Sequence, residues 1–245
     1  EMIDAVVLPT KDEEYQAFAK AYTSALNAYN ALITQYGSNS GVENLVTNRE
    51  KLLGDMTDIK TIIDRIVTII KTKTDDPGSM CGLYTVDMTK INNDYAALSD
   101  ANKTHIYNWA TYDTIYQDTK SAYELRARID RLEIALTPED ESEVKSIRTA
   151  YEALNTEAKK YFGTTYANKI SILEYNIYAL SKNDATYVIG LIDKIGTVTS
   201  NSGAKIIAAE TAYNDLTSTE KALVSNYDVL LAARSAYNLL RTDIS

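Results

Sequence analysis

The chain holds one histidine, His105, and one cysteine, Cys81. With one of each, neither a Cys–His pair close in sequence nor a His-rich metal site can be built. Cys81 falls in Thr74-Asp75-Asp76-Pro77-Gly78-Ser79-Met80-Cys81-Gly82, which reads as the longest insertion between helices. Nothing in that stretch would lower a thiol pKa, and Asp75 and Asp76 would raise it, so Cys81 reads as an unreactive loop residue. His105, beside Lys103 and Thr104, reads as a surface or capping residue at a helix start.

Carboxylates cluster at Asp12-Glu13-Glu14 and at Glu139-Asp140-Glu141 with Glu143. Each cluster begins a predicted helix, where negative charge complements the positive end of the helix dipole. Asp75-Asp76-Pro77-Gly78 offers too few alternating oxygen ligands for a calcium loop. A glycosidase-type acid pair would have to converge in a deep cleft, which a row of narrow helical bundles does not supply. No Gly-rich phosphate loop, nucleophile elbow or kinase signature is present. The expectation is a protein that is not an enzyme and that holds no metal or cofactor.

Tyrosine carries the remaining signal, with 19 residues against 2 Phe and 1 Trp. Tyr15, Tyr22, Tyr29 and Tyr36 recur at seven-residue intervals. Such a row is either a face for a partner or the inside of a helix bundle, because a tyrosine ring packs well while its hydroxyl reaches the edge. Two further groups draw notice: the predicted loop from Thr72 to Val86, with Met80, Leu83 and Tyr84, and the aromatic set Tyr107, Trp109, Tyr112, Tyr116 and Tyr123. The candidate partner-binding residues are therefore Tyr15, Tyr36, Met80, Leu83, Tyr84, Tyr107, Tyr112, Tyr116 and Tyr123.

The elements that must position them are helices. Three prolines and nine glycines in 245 residues leave little punctuation, and apolar residues recur at three and four rather than two. A net charge of −9, without a basic block, argues against nucleic acid or an anionic membrane as partner. No apolar run approaches the roughly 18 residues that cross a bilayer, and the first residues lack a signal-peptide pattern, so a soluble chain or a soluble piece of a longer one is expected.

One phrase occurs four times, as Ala28-Tyr29-Asn30-Ala31-Leu32, Asp94-Tyr95-Ala96-Ala97-Leu98, Ala150-Tyr151-Glu152-Ala153-Leu154 and Ala212-Tyr213-Asn214-Asp215-Leu216. A second phrase precedes each: Ile3-Asp4, Ile63-Asp64-Arg65-Ile66, Ile129-Asp130-Arg131-Leu132 and Ile192-Asp193-Lys194-Ile195. The period of about sixty residues suits three helices with short turns. The second helix of each repeat carries a 3-4-3 apolar seam, such as Val144, Ile147, Tyr151 and Leu154, which sends Tyr29 and Tyr22 toward the core. Tyr15 and Tyr36 match no apolar column and are expected to extend beyond it. Trp109 aligns with Tyr227 at a core column.

Capping-box spacings at Thr10 with Glu13, Thr137 with Asp140, Thr217 with Glu220 and Ser225 with Asp228 agree with this parsing. No breaker separates Leu45 from Ile70, Ile106 from Leu136 or Tyr166 from Leu180, apart from weak points at Gly54 and at Ser181 to Asp184. The expected fold is all-α: tandem three-helix bundles that share long connecting helices, in a spectrin-like elongated architecture. Helices of about thirty residues would each span about 45 Å. The predicted parts are a partial bundle over 1–57, a second over 58–122 with its long loop at 72–86, a third over 123–184 and a fourth over 185–245. Ile3-Asp4 reads as the end of a helix that begins before Glu1.

The fourth repeat, with Ile192-Asp193-Lys194-Ile195-Gly196 and AAETAYNDLTSTEKALVSNYDVLLAARSAYNLL over 208–240, resembles the helical repeats of Firmicutes surface and secreted proteins. The third repeat follows that pattern less closely, and the first two depart from it in their loops and third helices. The resemblance implies a non-catalytic module on an exported, often wall-anchored protein, hence an extracellular location, and carries over no functional residue. Two roles stay open. One is interaction with a host protein, with immunoglobulin as a named guess, or with a glycan. The other is a structural spacer that displays a neighbouring catalytic or carbohydrate-binding module.

Overall fold

The computed structural model describes residues 1–37 and 41–242, and every regular element among them is helical. The order is α1 (Asp12–Tyr36), a 3-10 turn (Val42–Leu45), then α2 (Arg49–Lys51), which passes through a π turn (Leu52–Met56) into α3 (Thr57–Asp75). A 3-10 turn (Pro77–Ser79) and α4 (Met80–Leu83) follow, and a second π turn (Tyr84–Met88) leads into α5 (Thr89–Ala97). Next come α6 (Asp100–Lys103), α7 (Trp109–Ile134), a 3-10 turn (Pro138–Asp140), α8 (Glu141–Ala153) and α9 (Thr156–Asp193). The chain ends with α10 (Gly203–Asp215), α11 (Ser218–Leu223) and α12 (Tyr227–Thr242). Two compact units divide it: unit 1 is Glu1–Glu124 with Leu154–Gly163, and unit 2 is Leu125–Ala153 with Thr164–Ser245.

In unit 1, α1 runs antiparallel to α3. Tyr22 pairs with Thr57 at 2.9 Å, and Tyr15, seven residues earlier, donates to Asp64, seven residues later. Between these contacts lie Phe18, Ile59, Ile62 and Ile63, all at most 2 % exposed. Isoleucine is a mediocre helix former, so α3 owes its stability to this burial, roughly 1.5–3 kcal/mol for each such side chain. Gly54 does not break the helix but sits in the first π turn. Both π turns close alike: the Thr57 hydroxyl donates to the Leu52 carbonyl at 2.8 Å, and the Thr89 hydroxyl to that of Tyr84 at 3.1 Å. Because Thr57 gives its proton to Leu52, the Tyr22 hydroxyl is the donor in the Tyr22–Thr57 pair.

The expected loop over 72–86 is helical instead. Residues up to Asp75 finish α3, Asp76 alone leaves helical geometry, and Pro77 opens the next turn at a first helical position, where its missing N–H costs nothing. Met80 and Cys81 are consequently buried, and the Cys81 thiol donates to the Tyr161 carbonyl at 3.4 Å. The loop cysteine of the sequence reading is thus a core residue.

In unit 2 a core cluster joins three helices. Ala185, Val188, Ile192 and Ile195, at and just beyond the end of α9, pack with Ile206 and Ala209 of α10 and with Leu230 and Ala233 of α12, closed by Leu216 and Val224. Gly203 lets α12 approach α10, since a Cβ there would sit 2.7 Å from Tyr237 Cζ. Gly163, with φ 76° and ψ 156°, kinks the helical run Thr156–Asp193 in a conformation that disfavours other residues. Thr217 and Glu220 form the complete capping box expected of them. Thr137 binds Asp140 at 2.9 Å, also as expected, whereas Thr10 binds Glu14 rather than Glu13.

The Ile-Asp phrase has a common physical use. Its isoleucines, Ile3, Ile63, Ile129 and Ile192, are at most 6 % exposed. Its aspartates accept side-chain hydrogen bonds at the core's edge: Asp4 from Asn48 at 2.7 Å, Asp64 from Tyr15, Asp130 from Tyr166 at 2.9 Å and Asp193 from Asn226 at 2.9 Å.

A second recurring contact appears with its charges reversed. Arg148, three residues before Tyr151, makes a two-pronged bridge from α8 to Glu174 at 2.8 and 2.7 Å. Three residues before Tyr213 stands Glu210, which receives the same two-pronged bridge from Arg234 on α12. Planar pairing of this kind needs one arginine and one carboxylate, and either helix can carry either. Arg148→Glu alone should therefore lower stability by about 1 kcal/mol, and adding Glu174→Arg should restore most of it. Urea denaturation of both variants measures this.

Candidate partner-binding surface

The nine candidate residues separate according to where the helices place them. Tyr15 is 8 % exposed and rings with Phe18 and Tyr107 at 6.1 and 6.2 Å. Instead of extending past the core, it is part of it, because α3 continues beyond Ile66 and covers the first turns of α1. Tyr112 is fully buried, its hydroxyl donating toward the Met88 carbonyl and Asn92 Oδ1 at 2.9 and 3.0 Å. Met80 is buried as well. These three are withdrawn from any partner. Tyr107 is half-buried, with its hydroxyl on Asp12 at 3.0 Å. Burial, then the bond to Asp64, raises the Tyr15 pKa; burial, then the bond to Asp12, raises that of Tyr107.

Tyr84, Tyr116 and Tyr123 do converge. Tyr84 lies 5.5 Å from the Tyr116 ring and 4.8 Å from that of Tyr123, all three half-buried, with Leu83 half-buried next to Tyr84. The stack continues from Tyr116 through the buried Tyr112 at 6.3 Å to the half-buried Trp109 at 5.1 Å and Tyr95 at 3.4 Å, the last pair nearly parallel. Tyr84 and Tyr116 share a side-chain hydrogen bond, and the buried Tyr112 holds the Tyr116 ring against the core. Such a face can stack on an apolar side chain or a sugar ring and donate or accept at its hydroxyls. Tyr36, 54 % exposed at the end of α1, stands apart from this set.

The Tyr95–Trp109 stack is repeated in unit 2, where Tyr213 lies 3.9 Å from Tyr227. In both places a lysine eight residues after the tyrosine caps its other face, Lys103 at 5.8 Å and Lys221 at 5.6 Å. Trp109, Tyr95, Tyr213 and Tyr227 are thus packing residues. His105 is half-buried, with Nδ1 3.1 Å from the Pro9 carbonyl.

Sequence reasoning missed a second exposed set. Ile172 and Tyr175, 56 % and 70 % exposed, lie one turn apart on α9, with Tyr187 64 % exposed further along it. Their offset from the buried Leu173 and Ile177 would have exposed them had the third helices been read for a seam.

Among the described residues, no group of three or more His, Cys, Asp or Glu side chains is placed to hold a metal, and no helix is long and apolar enough to cross a membrane. No protein-family model, curated protein or solved structure matches the chain.

Burial, followed by the neighbouring Tyr116, pushes the Tyr84 hydroxyl up to about 12. A folded-state pKa above the ordinary value of about 10 means that the stack's contribution is complete below pH 10 and is lost as pH rises through 12. Subtracting the tyrosinate absorbance titration of Tyr84→Phe from that of the native chain should leave a transition near pH 12. A difference centred near pH 10 would mean that Tyr84 is not stacked.

Proposed function

We propose that this chain is a non-catalytic, extracellular helical-repeat region of a bacterial surface protein, and that it contacts a host protein or glycan. Its four sequence repeats form tandem three-helix bundles with shared connecting helices, an elongated spectrin-like arrangement suited to presenting side surfaces. The observation that carries the interaction reading is the convergence of Tyr84 with Tyr116 and Tyr123, half-exposed and held from beneath by Tyr112. Rigid tyrosines give a partner large contact area at low entropic cost.

A spacer role that displays a neighbouring catalytic or carbohydrate-binding module is the second reading. It is favoured by the internal engagement of Tyr15, Tyr107 and Tyr112, whose hydroxyls all bond within unit 1.

Binding of the chain to human polyclonal immunoglobulin, to its Fab and Fc parts and to a glycan panel tests the choice. The interaction reading predicts submicromolar binding to one of these, weakened at least tenfold, about 1.4 kcal/mol, by Tyr84→Ala and unchanged by Tyr36→Ser. Absence of binding throughout, or binding indifferent to Tyr84, contradicts it and favours the spacer.

A further inference from the structure

Unit 2 holds a cavity of about 230 Å³ whose lining is strongly one-sided in charge. Glu139, Asp184, Asp215 and Glu220 contribute carboxylates, while Val188, Ala212, Leu216 and the Tyr187 ring supply an apolar wall. No basic side chain is among these lining residues.

Glu220 is the unusual member, because it is 2 % exposed and yet charged in type. Its Oε2 receives the Thr217 backbone N–H at 2.6 Å, completing the cap of α11. Its Oε1 is buried with no hydrogen-bond partner among the described residues. A buried carboxylate oxygen without a donor is costly, so this atom is set to receive one. Across from it, burial and then the Glu220 charge push the Asp184 carboxyl above its ordinary range, with Glu139 adding to the repulsion. Asp184 and Glu220 also pair through a side-chain hydrogen bond, so a proton on Asp184 is what now answers the Glu220 charge.

Two lysines on neighbouring elements are engaged elsewhere. Lys145 binds Glu141 at 2.6 Å, and Lys221 binds the Asn214 carbonyl at 2.9 Å while covering Tyr213. The Thr219 hydroxyl is also taken, since it bonds to Glu141.

We propose that this cavity binds a primary alkylammonium group, the end of a free diamine or of a peptide lysine. Its three N–H donors bond Glu220 Oε1 and Asp184, and its alkyl stem lies along Val188, Ala212 and Leu216. A bare divalent ion fits poorly, since no set of three metal-type ligands converges among the described residues and one wall is apolar. The proton is the natural competitor: protonated Asp184 can donate to Glu220 and fill the same need, so ammonium binding weakens as pH falls through the raised pKa of Asp184.

The test is an NMR titration of the whole ¹⁵N-labelled chain at pH 7 with 1,4-diaminobutane and, separately, with a lysine amide blocked at its α-amine. Saturable shifts of the Thr217 and Glu220 amides are expected with at least one of them. Preference for the diamine or for the blocked lysine tells which source the cavity suits. Glu220→Gln keeps an oxygen for the Thr217 cap but loses the charge, and Asp184→Asn alters an exposed position; each should weaken binding at least tenfold. Sodium chloride at equal ionic strength and magnesium or calcium chloride should not reproduce the shifts. No saturable response to either amine, an equal response to the metal salts, or unchanged affinity in both variants would overturn the proposal.

Discussion

A phenolic hydroxyl that goes into a core with its ring needs a hydrogen-bond partner there, and this chain has 19 tyrosines and only 2 phenylalanines with which to fill helix seams. That requirement organises unit 1. Tyr15 and Tyr22 sit seven residues apart on α1 because Asp64 and Thr57 sit seven apart on the antiparallel α3. The Thr57 hydroxyl can accept from Tyr22 because its own proton closes the π turn at Leu52. Tyr112 is fully buried because Met88 and Asn92 stand ready to accept from it, and its ring in turn supports Tyr116 and, through it, Tyr84.

The same logic explains what the repeats keep and what they exchange. A buried isoleucine beside an edge aspartate recurs in all four, yet the donor to that aspartate is asparagine in two places and tyrosine in the other two. The tyrosine of the first phrase stacks on tryptophan in one repeat and on tyrosine in another. The bridge three residues before it survives reversal of both its charges. The packing geometry fixes the position and chemistry of each contact and leaves open which helix supplies which partner.

Much of this was legible from periodicity. The all-α fold, the long α7 and α9, the seams of α8 and α10 and the packed positions of Tyr213 and Trp109 all follow from spacing at three and four. Two things were not legible, for physical reasons. Tyr15 lacked a matching column because α1, at 25 residues, has nearly twice the length of the 13-residue α8 and α10, so its first turns have no counterpart to align with. The stretch over 72–86 read as a loop because it is the longest insertion between the repeat phrases, where the third and fourth repeats have short turns. The spacing Met80, Tyr84, Met88, Ile91 is nevertheless helical, and its two glycines lie exposed, where a missing side chain disturbs no packing. Of the candidate surface, sequence supplied the residues but not their sorting. That depended on which aromatic rings of α7 meet Tyr84 and which turn under.

Tyrosine burial, with the hydroxyls of Tyr15, Tyr22 and Tyr112 taken up inside unit 1, builds this part of the protein. Limited nitration of the folded chain, with site-resolved mass spectrometry, tests it most directly by ranking the tyrosines in one experiment. The structure predicts rapid modification of Tyr36, Tyr175 and Tyr187, slower reaction at Tyr84, Tyr116 and Tyr123, and protection of Tyr15, Tyr112 and Tyr161 until the chain unfolds. Modification of Tyr15 and Tyr112 at the rate of Tyr175 would contradict it.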